Sequence, residues 1–286
     1  MKLAIVTDST AALTQKECED NHIYIVKMNV IINDQTYADR VEINNETLFS
    51  KIDEGASYST SQPSPDVFLK LYEKLLQDYD HVLSLHTMIK TSGAVNAARI
   101  ASTMLEEKEK CITVLDSDTS AVGLENMILK LAALAKEGMP LEQLLRVIEF
   151  YKLNQVVCFT IDDLGTLVRT GRMSKTAATF GNMLNIRPIV GIIQTDIRVI
   201  EKVRTKKRML KYFVEEITKA TEQSGTQLVR LAYIGSCELV DELKRQIETA
   251  CPQAKVYEPL EVGSAMAVHF GRGGIGLAFM PEAFEI

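Results

Sequence analysis

Leu3-Ala4-Ile5-Val6 is a short unbroken apolar run that stops at Thr7-Asp8-Ser9-Thr10 and gives way to helical spacing. A run of that length, bounded by capping residues, predicts a buried strand followed by a helix. The pattern returns at His81-Val82-Leu83-Ser84-Leu85, which leads through Thr87 to Thr91-Ser92-Gly93 and the helix-like AVNAARIASTMLEE. It returns again at Cys111-Ile112-Thr113-Val114-Leu115, which leads through Asp116-Ser117-Asp118-Thr119-Ser120 to LENMILKLAALAKEG. Gly138 and Pro140 end that helix. Strands alternating with helices predict a parallel, doubly wound sheet. Residues 24–48 break the pattern. YIVKMNVIIND alternates apolar and polar positions and ends in a turn-forming Asn33-Asp34, so a small antiparallel insertion is expected there.

Beyond residue 155 the texture changes. VVCFTI predicts a strand, and DDLGTLVRTGRMSK a short helix and a turn. IRPIVGIIQTDIRVIEKVR predicts a strand pair turning near Thr195-Asp196. A long helix follows from Lys206, then a strand at LVRLAYIG, a helix at ELVDELKRQIETAC, and the closing stretches VYEPLEV, GSAMAVHFG and IGLAFM. The fold class read from this is α/β with two domains. An N-terminal doubly wound, mainly parallel domain covers 1–154, with its insertion at about 24–48, and a C-terminal α+β domain covers 155–286.

Composition narrows the function classes. A chain of 286 residues with net charge −6 carries no general nucleic-acid footprint, so no nucleic-acid partner is expected. Five scattered cysteines form no C-x-x-C pair, and the four histidines show no metal-ligand spacing, which speaks against a disulfide framework or a zinc site. The N-terminal apolar run is too short for a signal segment, and no run approaches a membrane span, so a cytoplasmic protein without a cofactor is expected.

Four stretches could carry chemistry. In STSQPSP (59–65), Pro63 and Pro65 bias their neighbours toward extended backbone, which holds Thr60, Ser61 and Gln62 in a stiff strip. Thr60 and Ser61, with Thr91, Ser92, Asp8-Ser9-Thr10 and Asp116-Ser117, fall beyond strands or beside helix starts. Hydroxyls and free helix amides there suit a small anionic head such as a carboxylate or phosphate; each alone also serves as an ordinary cap. The turn Leu167 to Lys175 puts Arg169, Arg172 and Lys175 around Gly171, as an anion holder or a solvated turn. Glu201 to Arg208, with Arg204 and Lys206, is a basic strand end that serves either as a solvated face or as a docking patch for a protein partner. Gly271-Arg272-Gly273-Gly274-Ile275-Gly276 matches G-x-G-x-x-G but precedes a strand, so it predicts a tight turn rather than a dinucleotide site, with His269 beside it as a site candidate. No nucleophile elbow, Walker loop or H-E-x-x-H occurs.

Taken together, VTDST (6–10), TSQPS (60–64), LDSDTSAVGL (115–124), LGTLVRTGRMSK (164–175), NIRPIV (185–190), EKVRTKKR (201–208) and VHFGRGGIGLAF (268–279) resemble the DegV family of bacterial fatty-acid-binding proteins, which includes the binding subunits of fatty acid kinase. The resemblance runs nearly end to end. It implies a long-chain fatty acid in an apolar tunnel between two domains, its carboxylate held by Thr60, Ser61 and Ser92 with Thr91 beside them. It implies that Arg172, Arg204 and His269 lie near the head group or on a surface that meets an ATP-binding kinase subunit, with Gly271 and Lys206 in the flanking segments. A carrier with no catalysis of its own and transient contact with a membrane surface follows. The alternative is an enzyme acting on a small carboxylate or phosphate compound, with Ser61 or Ser117 as nucleophile. Two places depart from the family pattern. Thr91-Ser92-Gly93 stands where Ser-Gly-Thr is usual, and Gly271-Arg272-Gly273-Gly274 where Gly-Pro-Gly-Ala is commoner.

Overall fold

The computed structural model describes residues 1–174 and 186–285; Lys175 of the basic turn and Asn185 of NIRPIV lie outside the described residues. The first sheet joins β1 (Leu3–Asp8), β2 (Ile23–Val26), β6 (His81–His86) and β7 (Ile112–Asp116), all parallel, in the order β2-β1-β6-β7. Strand alternation splits its side chains between two layers. Ala4, Val6 and Val82 pack against α3 (Pro65–Leu75) and α4 (Ala94–Thr103). Ile5, Leu83 and Leu85 face the opposite way, against α5 (Val122–Lys136) and α6 (Leu141–Asn154). Pro65 starts α3 where a missing N–H costs nothing, and Phe68, Tyr72 and Leu75 form its buried stripe. Thr14 and Glu17 close a capping box on α1 (Gln15–Asn21).

The antiparallel insertion exists, but its limits differ from those the alternation suggested. Tyr24–Val26 belongs to β2 in the parallel sheet. The insertion pairs β3 (Asn29–Ile32) with β4 (Gln35–Ala38) and with β5 (Tyr58–Ser61), so its third strand is supplied by the proline-fenced strip. Asn33 and Asp34 make the hairpin turn, both at positive φ. Between β4 and β5 lies α2 (Asn45–Asp53).

The second sheet mixes directions. β8 (Val156–Thr160), β9 (Arg187–Ile193), β10 (Asp196–Val203), β11 (Gln227–Tyr233) and β14 (Ile275–Pro281) run in the order β10-β9-β8-β14-β11, with β12 (Lys255–Val256) and β13 (Leu260–Glu261) both on β11. Cys158, Ile189, Val229, Leu231, Leu277 and Phe279 face two long helices, α8 (Lys206–Ser224) and α9 (Glu238–Ala250). The other face looks toward the first sheet and carries Val157, Ala232, Ile234 and Ala278. Between the two sheets sits α5. It packs on β1 and α1 on one side and on β14 and β11 on the other, so its apolar residues are buried nearly all round. Two short helices complete the interior, α7 (Leu164–Arg169) and α10 (Ser264–Phe270).

Among the described residues no helix is long and apolar enough to cross a membrane.

Candidate functional site

The chain leaves β1 toward one edge of the parallel sheet and β6 toward the other, so the switch point lies between these two strands. Thr10 and Thr87, just past their C-terminal ends, line a pocket of about 550 Å³, the open space at its mouth included. The insertion supplies Thr60 to it, the start of α4 supplies Thr91 and Ser92, the turn after α7 supplies Arg172, and α10 supplies Met266, His269 and Phe270.

Thr60 Oγ1 lies 2.9 Å from His269 Nε2. His269 is only 8% exposed and its Nδ1 has no hydrogen-bond partner among the described residues. Burial, reinforced by the neighbouring Arg172 charge, pushes the imidazole pKa down to about 3. A neutral ring that donates from Nε2 leaves the Thr60 proton free for a ligand. Arg172 Nε donates to the Thr91 carbonyl at 3.2 Å, which ties the basic turn to the α4 loop, and burial lowers the Arg172 pKa. Gly93 packs on Gln62: a Cβ at position 93 would come within 2.9 Å of the Gln62 side chain, so glycine lets the two loops close on each other.

Not every expected residue reaches the cavity. Ser61 follows Thr60 on β5, and alternation turns it to the other face, where its Oγ accepts from Asn29 Nδ2 at 3.2 Å. Gly271, at φ 74°, ends α10 and lines a separate groove with Phe49, Tyr58 and Arg272. Arg272 pairs with Asp53 and lies over the Phe49 ring. Arg204 and Lys206 are exposed at the far end of β10. Arg204 lies seven positions beyond the cavity-lining Ile197, roughly 23 Å along an extended chain. Ser117 is buried, and its Oγ donates to the Thr119 carbonyl at 3.1 Å.

Behind the Thr10 and Thr87 wall lies a chain that motif reading missed. Tyr72 Oη lies 2.7 Å from Ser84 Oγ, Ser84 Oγ lies 2.7 Å from His86 Nε2, and His86 Nδ1 lies 3.2 Å from Asp8 Oδ2. Thr10 Oγ1 and the backbone N–H groups of Thr10 and Thr87 also donate to Asp8. Burial pushes the Asp8 carboxyl up, but the His86 hydrogen bond and these donors outweigh it and hold the pKa low. The connectivity is that of a serine-histidine-aspartate triad, yet all three side chains are fully buried, Ser84 is paired with Tyr72, and none of the three lines the cavity. The chain fixes the strand ends that present Thr10 and Thr87. Its one sequence signal is Ser-Leu-His within β6, which period-two geometry puts on one face.

A second pocket, of about 470 Å³ with the open space at its mouth, adjoins the first. The two share Ser120, Phe159, Ile192, Met266 and Phe270. Beyond that neck the lining is almost wholly apolar: Val122, Val157, Ala232, Ile234, Val262 and the backbone of Gly274–Gly276. Phe159 and Phe270 meet edge to face at 4.4 Å between centroids and narrow the neck. The whole therefore has one end rich in hydroxyls beside a guanidinium, and one end that offers hydrocarbon.

A family model described as an uncharacterised protein of the DegV family matches residues 2–282. A DegV domain-containing protein of Staphylococcus aureus (strain COL) is 29% identical over 281 residues, covering 98% of this chain and 99% of the relative. Among solved structures, the fold is similar to that of a DegV family protein from Thermus thermophilus, whose structure is described as showing fatty acid binding. The TM-score is 0.91 at 30% identity, covering 98% of this chain and all of the other. It is also similar to DegV from Bacillus subtilis, described as a fatty acid binding protein, with TM-score 0.88 at 26% identity, covering 99% of this chain and all of the other.

Proposed function

This chain belongs to the DegV family, and on that premise we propose that it binds a free long-chain fatty acid in the joined cavities. The carboxylate sits among Thr60, Thr91, Ser92, His269 and Arg172, and the tail runs past the Phe159–Phe270 neck into the apolar end. The observation that carries this reading is that a hydroxyl-lined head chamber adjoins an apolar one and shares five lining residues with it. Physical chemistry supports the division of labour. A buried carboxylate needs hydrogen bonds or it costs several kcal/mol, and each buried methylene contributes roughly 0.8 kcal/mol.

The protein acts as a carrier within the cytoplasm, with only transient membrane contact during lipid exchange. It presents the carboxylate to a separate ATP-dependent fatty acid kinase, which converts it to an acyl phosphate. Arg204 and Lys206 belong to the surface that meets that partner, and Arg172 serves both that docking and the head group. The chain divides at 154/155, between α6 and β8, into the two units whose facing sides enclose the ligand.

The test is mass spectrometry of an organic extract of the purified protein, with uptake of added fatty acid by the stripped protein. A stoichiometric fatty acid that is lost in the Thr60→Ala, Ser92→Ala double variant is the expected result. A wild-type protein that neither carries nor takes up fatty acid would sink the reading.

A further inference from the structure

The apolar chamber has a floor whose shape the strand register explains. Neighbours across the second sheet place Val190, Phe159, Gly276 and Ala232 in one row, on β9, β8, β14 and β11. Alternation along β14 sends Ile275, Leu277 and Phe279 into the core beneath α8 and α9, while Gly276 and Ala278 face the first sheet. Phe159 raises a ring on that face; Gly276 beside it raises nothing, and Ala232 only a methyl. The hollow beyond the neck is therefore the volume that a larger residue at 276 would fill. From Ile197 on β10, at the head chamber, to Ala232 on β11 the cavities cross four strand gaps, about 19 Å. That matches an extended long-chain tail, which crosses the strands rather than running along them and passes Gly276 late in its length.

We propose that Gly276 gauges acyl-chain length: its missing side chain admits the terminal methylenes of the longest chains accepted, toward Ala232, Ile234 and Val262. The proposal rests on the fatty-acid reading above. Backbone needs do not explain this glycine. Its φ is not positive, and a Cβ there would stand 3.5 Å from Phe159 Cβ and 3.7 Å from the Cys158 carbonyl, both ordinary contacts. A side chain is tolerated at the backbone and would project into the hollow.

The experiment compares wild type with Gly276→Ala and Gly276→Val, loading lipid-stripped protein with saturated fatty acids from decanoic to icosanoic acid. Affinity is read for each length by displacement of a fluorescent fatty acid. Each methylene forced out of the hollow costs about fourfold in affinity. Gly276→Val is expected to lose roughly tenfold or more for the longest chains and to leave the shortest binders unchanged, with Gly276→Ala between. Ala232→Val, on the adjacent strand, is expected to shift the profile the same way, and it serves if Gly276→Val does not fold. A wild type that binds the fatty acids while both valine variants keep its length profile, or lose all lengths equally, overturns the gauge alone. A wild type that binds no fatty acid of any length overturns the ligand assignment instead.

Discussion

Thr60→Val removes one hydroxyl and keeps a β-branched side chain suited to the strand. Its effect divides between two measurements. In the ligand-free protein it strands His269: Nε2 loses its 2.9 Å partner and Nδ1 has none among the described residues, on a ring that is 8% exposed. A buried polar group without a partner costs about 1–3 kcal/mol, so urea unfolding of the stripped protein should show a loss in that range. In the bound state the freed His269 N–H faces the carboxylate and donates to it, which offsets part of the loss. The lost Thr60 hydrogen bond to the carboxylate, about 1.5–3 kcal/mol for a charged acceptor, therefore sets the ceiling, roughly a 10- to 150-fold rise in Kd. Displacement titration at neutral pH reads it, and the loss should be equal for every chain length, because the head group alone is touched. If the variant is destabilised as expected but binds within about twofold of wild type, Thr60 supports His269 and nothing more.

Glu125 on α5 is fully buried, with Arg230 Nη1 3.0 Å away and Glu17 Oε1 3.1 Å from the same nitrogen. Burial outweighs the Arg230 charge and pushes the Glu125 pKa up from 4.5 to about 8. The folded state therefore holds a proton that the unfolded state releases. This contribution is fully present below about pH 4.5 and is lost as pH rises through about 8. Glu125→Gln, which imitates the protonated form, should flatten that decline in urea titrations across the window; an unchanged slope would refute the assignment. Asp39, with its side chain buried, accepts from Ser9 Oγ at 2.7 Å and from the Ala265 backbone N–H at 3.1 Å, capping the helix that carries His269 from another part of the chain. Asp39→Ala should cost about 2–4 kcal/mol of unfolding free energy from the lost cap and the stranded hydroxyl, and a loss below about 0.5 kcal/mol would show that water replaces it.

Three strands of the parallel sheet, β1, β6 and β7, were legible because each is a short, mainly apolar run ahead of capping residues, and period-two patterning showed the hairpin at Asn33-Asp34. The reading failed where local signals were shared. Tyr24–Val26 alternates like a hairpin strand yet pairs with β1, since an edge strand of a parallel sheet can keep one polar face. Tyr58–Ser61 completes the insertion from beyond α2, a pairing across about thirty residues that no local pattern encodes. The same holds for the site. Thr60, Ser92 and Arg172 stood out by composition and spacing, whereas the neck of Phe159, Ile192, Met266 and Phe270 consists of ordinary apolar residues until the two sheets face each other. Ser61 was expected beside Thr60 because the strip was read as stiff extended backbone outside the insertion; paired as a strand of it, the strip turns only one of the two inward.

The placement of α5 has a mechanical consequence. Leu124, Met127, Ile128 and Leu131 are fully buried in one helix that is bolted to both sheets. Swinging the halves apart like a clamshell would strip that helix from one side. At roughly 1.5–3 kcal/mol for each large side chain exposed, the opening would consume most of the 5–15 kcal/mol that holds an ordinary domain together. The halves therefore behave as a single casting, and a ligand of the proposed kind would enter and leave by displacement of side chains and loops at the rim.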